Sequence, residues 1–154
     1  MTVRWNPHSR SPWSNAHRGP PGALDEPAAE LGVVRFRRMN VLRVMPLLSV
    51  SDLDAAVETY VRTTGMEVIM NHGWIATLAP PGDRSIQLSL ITRDATAPVN
   101  PSTSIEVDDV NAAYSEVRAS GLEIVHELCD EEWGVRRFFF RDSDGSVVNV
   151  LSHL

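Results

Sequence analysis

From residue 39 onward, apolar and polar positions alternate between helical and strand spacing in a fixed order. Leu53, Ala56, Val57 and Tyr60 form one apolar stripe at helical spacing, and Val110, Ala113, Tyr114 and Val117 form another. The stripes predict helices over 52–64 and 110–120, with Ser51 placed to cap the first and Asp108 or Asp109 the second. Gly65 and Gly121 stand where each helix would end in a left-handed residue. Strand patterns follow each helix, over 66–70, 73–79 and 85–91 and again over 122–128, 134–140 and 146–151. Pro80-Pro81-Gly82-Asp83 and Asp142-Ser143-Asp144-Gly145 are the turns inside these sets.

The order is a repeat. Val50-Ser51-Asp52-Leu53-Asp54-Ala55-Ala56 returns as Val107-Asp108-Asp109-Val110-Asn111-Ala112-Ala113, and Gly65-Met66-Glu67-Val68-Ile69 returns as Gly121-Leu122-Glu123-Ile124-Val125. The expected fold is therefore α+β, with two βαβββ modules, about 40–98 and 99–154, pairing into a curved mixed sheet around a central cavity. The helices lie on its outer face. Strand parity separates two faces. In 85–91, Ile86, Leu88 and Leu90 alternate with Ser85, Gln87 and Ser89; in 102–107, Ile105 and Val107 alternate with Ser102, Ser104 and Glu106. The apolar set packs a helix. The polar set is a solvated surface if the sheet is flat and a hydrogen-bonding cup if it curls, and parity allows both.

Residues 1–38 break the pattern. They hold five of the ten prolines and the breaker run His17-Arg18-Gly19-Pro20-Pro21-Gly22, and they read as a disordered extension ahead of a domain at 39–154. They also split the charge. The extension carries six arginines against three acids, a net of +3, whereas the remainder carries eight against 17, a net of −9. An acidic domain repels nucleic acid phosphates, so nucleic acid is not an expected partner. No run of 18 apolar residues offers a membrane span, and no apolar leader follows the first arginines. With a single cysteine, Cys129, an internal disulfide is impossible, and the cytoplasm is the expected location.

Residues 40–152 resemble the vicinal oxygen chelate superfamily, which holds glyoxalase I, extradiol dioxygenases, epimerases, and fosfomycin- and bleomycin-resistance proteins. The resemblance is carried by Pro46-Leu47-Leu48-Ser49-Val50-Ser51-Asp52-Leu53, by Gly65-Met66, and by Trp133-Gly134-Val135-Arg136-Arg137-Phe138 leading into Arg141-Asp142-Ser143-Asp144-Gly145. Pro46 and the Trp-Gly-x-Arg stretch look most like the bleomycin-resistance branch. The resemblance implies a homodimer and, in the enzymes, four metal ligands that match Met45, Gln87, Ser102 and Asn149 here. A thioether, two amides and a hydroxyl provide neither the imidazole nor the carboxylate that a tight divalent site needs. The expectation is thus a protein without metal or other cofactor that binds a small cationic or aromatic molecule, an antibiotic of the bleomycin type being the class the resemblance points to.

Asp130-Glu131-Glu132-Trp133 is either a solvated acidic loop or a cation-attracting rim beside a stacking platform, and Trp74 is a candidate second aromatic wall. Arg136 and Arg137 alternate faces, so one of them reaches the cavity; Arg136 is the expected ligand contact. Gln87, Ser102, Ser104 and Asn149 supply hydrogen bonds, and Met45 joins the lining. Glu106 is a candidate general base or counter-ion, and His126 a candidate general base or metal ligand. His72 and His153 read as surface residues, and Cys129 as an inert thiol without a histidine partner. The competing expectation is a metal-dependent lyase or dioxygenase of the same superfamily, with its ion relocated to donors such as His126 or Glu106. A third is a structural dimer with a filled cavity.

Overall fold

The computed structural model describes residues 39–154, and the proposed extension over 1–38 lies outside the described residues. Eight strands and two helices follow in the order β1 (Val41–Ser49), α1 (Leu53–Thr64), β2 (Glu67–Asn71), β3 (Ile75–Ala79), β4 (Leu88–Ile91), β5 (Thr103–Val107), α2 (Val110–Ala119), β6 (Glu123–Glu131), β7 (Val135–Arg141) and β8 (Val147–His153). This is βαβββ written twice. The strands make one mixed sheet ordered β2-β3-β4-β1-β5-β8-β7-β6. Each module closes with a parallel pair, β1 with β4 and β5 with β8, and the modules join through the antiparallel pair β1–β5. No helix among the described residues is long and apolar enough to cross a membrane.

Each helix covers its own module. Leu53 of α1 packs on Ala76, Leu78 and Leu90, with Ala56, Val57 and Tyr60 alongside, and Val110, Ala113 and Val117 of α2 pack on Val107, Phe138 and Val150. The two stripes are therefore core. The first cap is Asp52, not Ser51: its carboxylate accepts the Ala55 amide at 3.0 Å, and Asp109 accepts Ala112 in the same way at 2.9 Å. In each copy the capping carboxylate directly precedes the helix and reaches its third amide. Replacing either aspartate by alanine should cost about 1 kcal/mol in denaturant unfolding.

Two strand boundaries depart from the sequence pattern, and both matter to the site. The last strand of the first module, β4, starts at Leu88, because Asp83 accepts both the amide and the hydroxyl of Ser85 and holds 83–85 as a turn. Ile86, expected on the helix-facing side, is left 55% exposed. β6 instead runs on to Glu131, so half of the supposed acidic loop is strand. It also bulges: His126 lies opposite Phe139 and Cys129 opposite Arg137, three residues of β6 against two of β7. A bulge resets side-chain parity, so His126, Cys129 and Glu131 all come to one face.

Candidate functional site

The face turned away from the helices is the wall of a cavity of about 230 Å³. Its floor follows from the register. Thr77 of β3 lies opposite Ser89 of β4, which lies opposite Leu47 of β1; Met45 of β1 lies opposite Ser104 of β5, which lies opposite Asn149 of β8. Direct cross-strand opposition makes these side chains touch. The Thr77 and Ser89 hydroxyls are 2.8 Å apart, and Asn149 Nδ2 donates to Ser104 Oγ at 2.8 Å. The Asn149 Oδ1 atom has no partner, although the residue is only 4% exposed.

Aromatic and apolar groups form the walls. Trp74 and Trp133 meet edge to face with centroids 5.6 Å apart, and Trp133 packs with Met45, Val135 and Leu151. The Arg137 guanidinium lies 5.1 Å from the centroid of Trp133 and 4.8 Å from that of Phe139. The bed behind it is ionic. Arg137 donates to both oxygens of Asp94 at 2.8 Å and through Nε to Glu131 Oε1 at 2.7 Å. Asp94 belongs to the segment between β4 and β5, and its Oδ1 also accepts the amides of Thr96 and Ala97. Burial opposes the charged form of Asp94, but the Arg137 and amide hydrogen bonds outweigh it and hold the carboxyl below its ordinary value.

Met45, Trp74, Gln87, Ser104, Trp133 and Asn149 line this cavity, as do His72 and His153, two exposed residues at its mouth. Four candidates, Ser102, Arg136, Glu106 and His126, do not. The Ser102 hydroxyl donates to the Val147 carbonyl outside the lining, because the cup's polar pair is one step further along β5, at Ser104. Arg136 shares the face of Phe138 and pairs with Asp130 at 3.4 Å, so it is Arg137 that reaches inward. Glu106 is taken by Arg43 at 2.5 Å and by His153 at 3.0 Å, which leaves no free carboxylate for a base or counter-ion there. The acidic rim also thins, since Glu131 is buried against Arg137 and Asp130 is paired with Arg136. Cys129 does have a histidine neighbour, His126, at 3.3 Å, brought there by the bulge.

Arg43, Leu47, Thr77, Ser89, Asp94 and Arg137 are also part of the lining, beyond the ligand contacts expected from sequence. Parity already put Ser89 on the right face. Asp94 had no such signal, because it sits in a segment with no periodicity.

The four side chains that the resemblance matches to metal ligands, Met45, Gln87, Ser102 and Asn149, are a poor donor set for a divalent ion. Gln87 and Asn149 offer only neutral amide oxygens, the Ser102 hydroxyl is turned to the Val147 carbonyl, and Met45 offers only a thioether. No imidazole or carboxylate stands at any of the four.

Residues 40–150 match the family model described as the Glyoxalase/Bleomycin resistance protein/Dioxygenase superfamily. No curated protein sequence matches the chain. Among solved structures, a member of that superfamily from Vibrio splendidus 12B01 is 18% identical with a TM-score of 0.53, covering 75% of this chain and 100% of its own. A methylmalonyl-CoA epimerase from Streptomyces coelicolor is 23% identical with a TM-score of 0.57, covering 74% and 99%. A Legionella pneumophila protein described as NAD-dependent benzaldehyde dehydrogenase is 15% identical with a TM-score of 0.61, covering 72% and 99%. At these identities the likeness is one of fold.

Proposed function

The chain belongs to the glyoxalase/bleomycin resistance protein/dioxygenase superfamily, and from that membership together with the chemistry of its cup we propose that it binds a small hydroxylated aromatic molecule without a metal at the floor. The observation that carries this reading is the unpartnered end of the Asn149 amide. A buried polar atom without a partner costs about 1–3 kcal/mol, a cost a bound ligand removes. One end of the amide is satisfied by Ser104 in either orientation, and the other is buried without a partner in the lining of a cavity walled by two tryptophans. A phenolic hydroxyl both donates and accepts, so it meets that free end whichever atom stands there. The ring then lies between Trp74 and Trp133.

Size and charge narrow the ligand further. An apolar cavity of about 150 Å³ holds benzene; at about 230 Å³ this one has room for a substituted ring and not for a whole glycopeptide. A bleomycin-type antibiotic would enter only by an aromatic end. Both arginines of the lining are paired, Arg43 with Glu106 and Arg137 with Asp94 and Glu131. With no unpaired carboxylate among them, a neutral aromatic is favoured over a cationic one.

Titration calorimetry with matched arenes, each with and without a phenolic hydroxyl, tests the reading. The expected result is saturable binding of the phenols, weaker binding of the hydroxyl-free partners, and a loss of about tenfold for phenols in Trp133→Ala, the scale of one aromatic contact. Absence of heat across the panel, or equal affinity within every matched pair, would overturn it.

A further inference from the structure

At the sheet edge, outside the cavity, three different donor atoms converge. His126 Nε2 is 3.3 Å from Cys129 Sγ and 3.5 Å from Glu131 Oε1, and Cys129 Sγ is 3.9 Å from that same oxygen. Zinc bonds of about 2.0–2.1 Å to nitrogen, about 2.3 Å to sulfur and about 2.0–2.2 Å to oxygen, at tetrahedral angles, separate donor pairs by about 3.3–3.7 Å. The three spacings match one face of that tetrahedron to within a few tenths of an ångström. We propose that His126, Cys129 and Glu131 form a binding site for a zinc-class transition metal, with the fourth position open to solvent or a small ligand.

The surroundings fit a cation. Glu131 Oε1 also accepts from Thr96 Oγ1 and Arg137 Nε, both at 2.7 Å, which fixes the carboxylate in place beside His126 and Cys129. His126 is held by Phe139, with ring centroids 5.2 Å apart. The buried ionic group behind the site holds two carboxylates, Asp94 and Glu131, against one guanidinium, Arg137, a net of one negative charge. A thiolate at Cys129 adds a second negative charge, and a divalent ion balances both. The mixed nitrogen, sulfur and oxygen set selects zinc or cobalt over magnesium or calcium, which take oxygen alone. It also lies apart from the four floor positions, so the site and the cup are separate assignments.

Metal binding must displace a proton. Burial first, and then the charges of Glu131 and Asp130 against the opposing Arg137, push the Cys129 thiol above its ordinary value.

Cobalt(II) titration of the purified chain is the test, because a thiolate-to-cobalt charge-transfer band reports sulfur ligation and is blind to the other histidines. Cys129 is the chain's one cysteine, so alkylation by a thiol reagent, with and without zinc, reads the same residue independently. One equivalent should give the band, zinc should displace it, and zinc should slow alkylation. Cys129→Ser should abolish the band. His126→Ala and Glu131→Gln should each weaken binding by at least about tenfold, since even outer contacts to a metal site are worth that much. Asn149→Leu, in the cup, should leave the band unchanged. Absence of a band together with unaltered alkylation overturns the proposal. So does a band whose affinity is indifferent to His126 and Glu131, which would mean metal held by the thiol alone.

Discussion

Arg137→Met should destabilise the domain by about 3–5 kcal/mol, the typical cost of removing one partner from a buried ion pair. Arg137 is 4% exposed and is shared by two buried carboxylates, Asp94 from the β4–β5 segment and Glu131 from the end of β6. Methionine fills much of the same volume, so the loss is charge and hydrogen bonding more than packing. The pH dependence identifies the cause. In the native protein the Asp94 carboxyl is held below its ordinary value of 3.8, so its contribution is present above that value and is lost as pH falls through it. Without the guanidinium, burial, which raises a carboxyl, is opposed only by the Thr96 and Ala97 amide hydrogen bonds. In Arg137→Met the Asp94 carboxyl therefore takes up its proton at a higher pH than in the native protein, and acidification from neutrality should narrow the gap in stability between the two. Urea unfolding at pH 7 and pH 5 checks both statements. A loss below about 1 kcal/mol, or parallel pH profiles for the two proteins, would show that the pair is not the linchpin described here.

The same side chain explains what the sequence could and could not reveal. Helices, module order and the inward face of most strands were readable, because a repeat of apolar stripes and alternating strands is local information. Asn149 and Ser104 were placed by parity and a motif, and they do sit opposite each other in the cup. Three kinds of information were not local. The bulges in β6 reset its parity, and no residue there announces them, since neither glycine nor proline interrupts Glu123–Glu131. The choice between Arg136 and Arg137 depended on the partner Asp94, 43 positions away in a segment without period. The separation of Ser102 from the cavity came from the parallel β5–β8 pairing, where the Val147 carbonyl captures its hydroxyl. In each case a contact between elements decided the position of a side chain whose strand had been recognised.

Removing the polar pair at the floor should move stability and binding in opposite directions. In Ser104→Ala/Asn149→Leu, the hydrogen bond between the two side chains disappears together with the unpartnered Asn149 oxygen. Replacing both members of a buried pair by apolar groups is close to neutral, and eliminating the orphaned atom returns up to about 1–3 kcal/mol. The double variant should therefore be at least as stable as the native domain and measurably more so in thermal unfolding. Ser104→Ala alone strands both ends of the amide and should be less stable than either. Phenols that bind the native protein should lose at least about tenfold in the double variant, because their hydroxyl would face leucine. Such a pattern is expected of a site that carries a stability deficit for the sake of its ligand. A purely structural floor predicts the reverse, with the double variant destabilised and phenol binding unaltered. Calorimetry and thermal unfolding on the same three proteins separate the two.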